Sequence, residues 1–267
     1  MITLNAEKIR DFQTCELAYK YRYIDEVMEP IYHRELLLDR FEIEIKKIMS
    51  FFFYKKQGGS MPSYNALLSR WQRNWFKNEE TAKDIAGSTT TPHMVSESSL
   101  TSRAASVLLN FYNDFADQNS QPILIDETVA VSVGKNLRLS GTYDIALRDP
   151  KGDQLLIIKW ITRGKGAWGG TIDYGIDFAV IDHLFQEKSS LAATHKPTYA
   201  LYEIGAKNNK LKVFNLSEQS KNTVAFWVNR IGDTEIFAPR RGLTVACKAC
   251  PFDAPCANFN EYTIEDV

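Results

Sequence analysis

Four cysteines are the residues of this chain whose type and spacing point most directly to chemistry. Cys15 stands alone near the start, and Cys247, Cys250 and Cys256 close the other end in the stretch Cys-Lys-Ala-Cys-Pro-Phe-Asp-Ala-Pro-Cys. One thiol plus a C-x2-C-x5-C triad makes a four-thiolate set, which is what a [4Fe–4S] cluster takes. Three other readings of this spacing stand beside it. Zinc also takes four thiolates, although zinc sites more often show two close pairs and only one is present here. An even count allows two disulfides, but a chain of this size does not need them and no secretory leader is expected at Met1-Ile2-Thr3-Leu4-Asn5. Four unrelated buried thiols are the plain alternative. If all four hold one metal site, the chain ends must meet, and closing so long a loop strongly restricts the unfolded chain.

Composition bounds the setting in which such thiols work. The 267 residues are 44% hydrophobic and 24% charged, which fits a globular protein with a sizeable core. The formal net charge of −1 gives no global pull toward nucleic acid, so any such contact must be local. Lys159, Arg163, Lys165, Lys207, Lys210, Lys212, Arg240 and Arg241 are the candidates to line a DNA groove, with solvated lysines as the default. No apolar run reaches the roughly 18–20 residues of a membrane span, so no membrane partner is expected. A reducing, cytoplasmic location is expected, which also suits thiolate–metal chemistry.

The elements that must position these residues are read from periodicity. A helix is predicted over Asn5–Val27 with Cys15 within it, and others over Arg34–Tyr54, Ser63–Asn78 and Leu100–Gln118. The Ser/Thr-rich stretch from Asn78 to Ser99 reads as an exposed excursion. The period then alternates, predicting strands over Ile123–Val133, Leu137–Arg148 and Gln154–Thr162. A helix over Ile176–Glu187, a hairpin of Thr198–Gly205 with Lys210–Asn215, and a helix over Ser217–Ile231 follow. The expected fold class is α/β (α+β): a mixed central sheet flanked by helices, behind a helical N-terminal region. Three parts are expected to pack as one unit: a helical region over 1–120, an α/β core over 121–240 and a cysteine-rich segment over 241–267.

Both chain ends and the middle resemble the iron–sulfur branch of the PD-(D/E)xK nuclease superfamily, which includes RecB-type and AddB-type exonuclease domains and CRISPR-adaptation exonucleases. At the front, Ile9-Arg10-Asp11-Phe12-Gln13-Thr14-Cys15 followed by Tyr19, Tyr21 and Tyr23 matches a family pattern, with Glu16 where proline is usual. At the back, Trp227, Ile231, Phe237 and Pro239 lead into the cysteine triad. The resemblance implies that Cys15, Cys247, Cys250 and Cys256 hold a [4Fe–4S] cluster, with zinc as the alternative. In the middle, Glu127 opens a strand and Leu139-Ser140-Gly141-Thr142-Tyr143-Asp144 looks like the family's G-x-x-D strand. Asp144 then stands where active members bind the catalytic metal.

The next strand departs from the family. Leu156-Ile157-Ile158-Lys159-Trp160-Ile161-Thr162 puts Lys159 in the carboxylate position and Ile161 in the lysine position. An ammonium where a dication should sit opposes metal binding. The family's metal-binding histidine has no counterpart between Leu36 and Phe53, His33 lying too early, and its Gln-x-x-x-Tyr helix reads Asp177-Phe178-Ala179-Val180-Ile181. No catalytic residue is therefore expected at the degenerate site of Asp144, Lys159 and Ile161. An Asp144–Lys159 ion pair is expected to replace the metal. The reading is a non-catalytic, nuclease-like subunit that binds DNA or a protein assembly in a recombination, replication or virus-encoded complex, with a virion location in the last case. An active exonuclease with a rearranged site, using Mg²⁺ or Mn²⁺, is the alternative. A redox-responsive regulator is the third reading.

Overall fold

Asn5 starts the first helix by accepting the Lys8 N–H on its side chain at 2.9 Å, and the helix runs only from Ala6 to Thr14 (α1). Cys15 breaks it with extended backbone, φ −160° and ψ 114°, and Glu16–Tyr23 form a second helix (α2). The single helix expected over Asn5–Val27 is thus two, and the cysteine is the joint between them. A computed structural model describes residues 2–27, 33–77, 97–134, 136–150, 154–161, 174–204, 210–239, 247, 250–252 and 256. The excursion expected over Asn78–Ser99 lies mostly outside them, as do Thr162, Arg163, Lys165, Lys207, Arg240 and Arg241.

The remaining helices are α3 (His33–Gln57), α4 (Tyr64–Lys77), α5 (Glu97–Phe115), α6 (Tyr174–Lys188) and α7 (Glu218–Gly232). The strands are β1 (Ile2–Leu4), β2 (Gln121–Ser132), β3 (Leu137–Arg148), β4 (Gln154–Ile161), β5 (Lys196–Glu203) and β6 (Lys210–Phe214). They form one mixed six-stranded sheet in the order β1-β3-β4-β5-β6, with β2 also on β3. Helices cover both faces. One core packs α3, α4 and α5 on the sheet through Phe52, Phe53, Trp71, Phe111 and Trp160. The other packs α1, α2, α6 and α7 through Ile9, Phe12, Phe178, Leu184 and Val228. The expected class, a mixed sheet between helices, is the observed one. Among the described elements, β1 and a short 3₁₀ turn at Ser190–Ala193 escaped the periodicity, because three or four residues are too few to show it.

β3 is the pivot of the sheet. Along one edge it pairs with β2, from Gln121↔Arg148 to Ser132↔Arg138. Its other edge is shared by two strands: β1 runs parallel to Leu137–Leu139, and β4 antiparallel to Ile145–Arg148. Between them, residues 140–144 have no strand partner on that edge among the described residues. Past Ile158, β4 leaves β3 and pairs with β5 alone, up to Ile161↔Glu203. The sheet therefore forks, and Asp144 sits at the crotch.

A second irregularity meets the first. Ladder pairs step from Ile125↔Ile145 to Glu127↔Tyr143, passing over Asp126 and Asp144. Asp126 has φ 49°, the left-handed region that aspartate tolerates better than most residues. Across this break the alternation changes phase. Leu139 and Tyr143 belong to the α6-side core, whereas Ile145 and Leu147 belong to the α3-side core. Alternate residues of one regular strand share a face, so the break re-aims the strand as a bulge does.

Candidate functional site

The fork draws charges from α1, α3, α6, β3 and β4. From α6, buried Asp177 places Oδ1 3.2 Å from the Lys159 ammonium of β4, and its Oδ2 receives the Arg10 guanidinium of α1. The Asp144 carboxylate accepts the Trp160 N–H at 2.8 Å, a side-chain bond that takes over where the β3–β4 ladder stops. From the other face, Lys46 and Glu42 of α3 pair at 3.0 Å, and Lys46 acts on Asp144. Tyr174 opens α6 beside the same charges. Among the described residues no strand fills this point, and helices on the two faces of the sheet act electrostatically on one set of groups.

The expected Asp144–Lys159 ion pair is corrected by this geometry. The β3–β4 ladder ends at Ile145↔Ile158, one pair short of them; the two residues influence each other, but the ammonium is taken by Asp177. The physical reason is solvation. Lys159 keeps about a quarter of its side-chain surface exposed and needs an anion to offset the rest. Asp177 offers two oxygens on a helix start that projects into the fork, whereas Asp144 is committed to a main-chain donor. Desolvation pushes the Asp144 carboxyl above its ordinary pKa, against the pull of Lys159, Lys46 and the Trp160 N–H, while Asp126 pushes it further up. Burial acts to lower Lys159, but Asp177 and Asp144 outweigh it, so its pKa stands above the ordinary lysine value. Burial, with Asp177 next, pushes the Tyr174 hydroxyl up to about 12.

Sequence reasoning placed Asp177 in the Gln-x-x-x-Tyr comparison but assigned it no role, and it passed over Arg10. The available signal was a charged residue in an otherwise apolar helical run, Ile176-Asp177-Phe178-Ala179-Val180. Ile161 is buried at the end of β4, where its carbonyl accepts the Ile204 N–H at 2.8 Å. Glu127 is exposed on β2 opposite Tyr143, at the edge of the fork. Gly141 of the G-x-x-D strand has a packing reason to be glycine. A Cβ there would stand 2.8 Å from Leu184 Cδ1 and 3.4 Å from Val180 Cγ1, where α6 crosses β3.

The thiols lie at the chain-end side of α1 and α2. Two short turns present the triad: the Cys250 N–H donates to the Cys247 carbonyl at 3.2 Å, and the Cys256 N–H to the Phe252 carbonyl at 3.0 Å. Phe252 is buried against Ala18, with Cys15, Cys250 and Tyr21 packed around them. Burial first, and then Cys15, Cys256 and Cys247, push the Cys250 thiol up, against a backbone hydrogen bond at Phe252 that lowers it. The other three cysteines thus lie near enough to Cys250 to act on it electrostatically, and none of the four is in a disulfide. Among the described residues, no group of three or more His, Cys, Asp or Glu side chains stands arranged to hold a metal ion. By donor chemistry the four thiols suit a thiolate-loving metal or cluster. Like charges that oppose ionisation in its absence would be offset by its cations.

No family model matches the chain, and no curated protein matches it. Nine chains of solved structures match. One is a crystal structure from Eubacterium rectale at 2.19 Å resolution, described provisionally as an exonuclease; it is 10% identical, with a TM-score of 0.44, over 91% of this chain and 86% of that one. A likeness at this level says nothing about chemistry. Among the described residues no helix is long and apolar enough to cross a membrane.

Proposed function

We propose that this chain is a non-catalytic, nuclease-like protein that serves as a DNA-binding or assembly subunit and carries a [4Fe–4S] cluster on Cys15, Cys247, Cys250 and Cys256. The observation that carries the first half is the Lys159 ammonium at the fork, 3.2 Å from Asp177 and sharing that carboxylate with Arg10. A metal nuclease needs carboxylates free to hold a dication that activates water and neutralises charge on phosphate. Here two cations occupy Asp177, and Asp144 is desolvated and bonded to main chain. Mg²⁺ gives up its waters reluctantly and gains little from such a set. The second half is supported by the packing of Cys15 and Cys250 around Phe252, by the influence of Cys15, Cys247 and Cys256 on Cys250, and by the resemblance at both chain ends. A bound cluster would supply a link between the first helices and the C-terminal segment.

The purified protein is expected not to degrade labelled single- or double-stranded DNA above background with Mg²⁺ or Mn²⁺. Metal-dependent degradation that Asp144→Ala abolishes would overturn this and make the active-exonuclease reading the better one, with Asp126 or Asp177 as the second carboxylate. Iron with labile sulfide is expected in anaerobically prepared protein. Stoichiometric zinc in the same preparation would favour the zinc site.

A further inference from the structure

The joint between α1 and α2 carries Cys15 and is pinned from both sides. On α1, the Cys15 N–H donates to the Asp11 carbonyl at 2.9 Å, and Thr14 Oγ1 donates to the Arg10 carbonyl at 2.8 Å, closing the turn between Arg10 and the cysteine. From α2, Arg22 and Tyr23 donate to the Asp11 carboxylate at 2.6 and 2.7 Å. Buried Glu16 receives Arg230 of α7 at 3.4 Å, and the Leu17 N–H reaches the Ala238 carbonyl at 3.3 Å. From this pinned joint Arg10 extends to Asp177, the residue that holds Lys159 at the fork. One contiguous run of directional bonds thus leads from Cys15 to Lys159.

We infer that Arg10 couples the Cys15 joint to the Asp177–Lys159 pair, so that fixing or freeing the joint is felt at the fork. α1 also touches the sheet side through apolar packing of Ile9 and Phe12 in the same core as α6. Apolar contact is non-directional and absorbs small shifts of a helix. A guanidinium bonded to one carboxylate oxygen does not, since its bond weakens steeply with misalignment. Coupling of this kind is reciprocal: what changes the Cys15 joint changes the environment of Lys159, and the reverse. The role of Cys15 as a metal ligand rests on the reading proposed above; the Arg10 route does not.

Hydrogen–deuterium exchange on the anaerobically purified protein tests it at the Tyr174–Phe178 stretch of α6, far from Cys15 in sequence. Arg22→Gln, which removes a bond to the Asp11 carboxylate, is expected to speed exchange there about fivefold or more, the lower end of ordinary coupling. In an Arg10→Gln background the same substitution is expected to change it less than about twofold, and Arg10→Lys to restore the response. If Arg22→Gln fails to fold, Tyr23→Phe loosens the joint from the same side and is read the same way. No change at Tyr174–Phe178 in the otherwise native chain overturns the inference, as does a change of equal size with Arg10→Gln. A metal assay on the same samples separates the two readings. A protein without thiol-bound metal that still shows the Arg10-dependent response keeps the coupling and loses the metal site. A metal-loaded protein whose response ignores Arg10 keeps the site and loses the coupling.

Discussion

Lys159 is the residue on which the chemistry of the fork turns, and Asp177 is what makes it tolerable. Truncating one member of a buried ion pair leaves the other charge uncompensated, a larger loss than the pair's net worth. Asp177→Asn strands both Arg10 and Lys159 and is expected to cost about 3–5 kcal/mol in urea unfolding. Lys159→Met leaves Asp177 still bonded to Arg10 and should cost clearly less; equal losses would show that Asp177 is not the shared anion. Asp144 gives a second test, through pH. Its raised pKa means that the folded state holds the proton more tightly than the unfolded one. Its contribution to stability is therefore present below about pH 3.9 and is lost as pH rises through the folded value. Asp144→Asn keeps an acceptor for the Trp160 N–H but does not titrate. The variant is expected to gain stability relative to the native chain between acid and neutral pH, and parallel pH–stability curves would contradict this. Lys159, also raised, acts in the opposite range: its contribution holds below about pH 10.4 and is lost as pH climbs through the folded value.

At the scale of elements, the approach of α6 to β3 decides where Asp177 can stand. Gly141 allows that approach, because the nearest atoms to a Cβ there are the buried side chains of Leu184 and Val180. Neither can swing into solvent. Gly141→Ala is expected to cost about 1–3 kcal/mol by overpacking and to loosen α6, read as faster amide exchange across Tyr174–Lys188. An unchanged melting temperature would mean that the two elements slide apart without loss. β2 shows a different device at the sheet's edge. Its outer carbonyls at Pro122 and Ile125 are met by Gln57 and Tyr54 of α3, which blunts an edge otherwise open to strand addition.

At the scale of the molecule, the thiols concern how the chain's two ends are held. Phe252 and Cys250 already pack on the joint at Cys15 and Ala18, so a metal there would add to an existing contact rather than create one. A ligand that binds only the folded state stabilises by mass action, about 4 kcal/mol at a thousandfold excess over its dissociation constant. If the proposed cluster is bound, its removal by chelation, or replacing Cys250 by Ser, is expected to lower the melting temperature of the whole protein and to expose both ends to protease. Cleavage confined to the C-terminal segment, with the melt unchanged, would count against one shared site.

The chain by itself determined the alternation of elements, because the hydrophobic period survives in any window long enough to show it: β3 runs from Leu137 to Arg148, where the alternation put it. The resemblance read from it also implied that Lys159 stands where a metal-binding carboxylate is usual, and count and spacing made the four thiols an expected donor set. Only the tertiary structure decided which anion answers Lys159. Strand pairing, continued one step past the end of the β3–β4 ladder, would put Asp144 opposite, and sequence reasoning stops there, since pairing is a local rule. The fork and the passed-over Asp126 and Asp144 are products of how neighbouring strands pair, and the meeting of Arg10 with Asp177 joins two helices at residues 167 apart in the chain. A buried charge takes the partner that best replaces its lost water, and three-dimensional proximity, not sequence spacing, sets which partners are within reach.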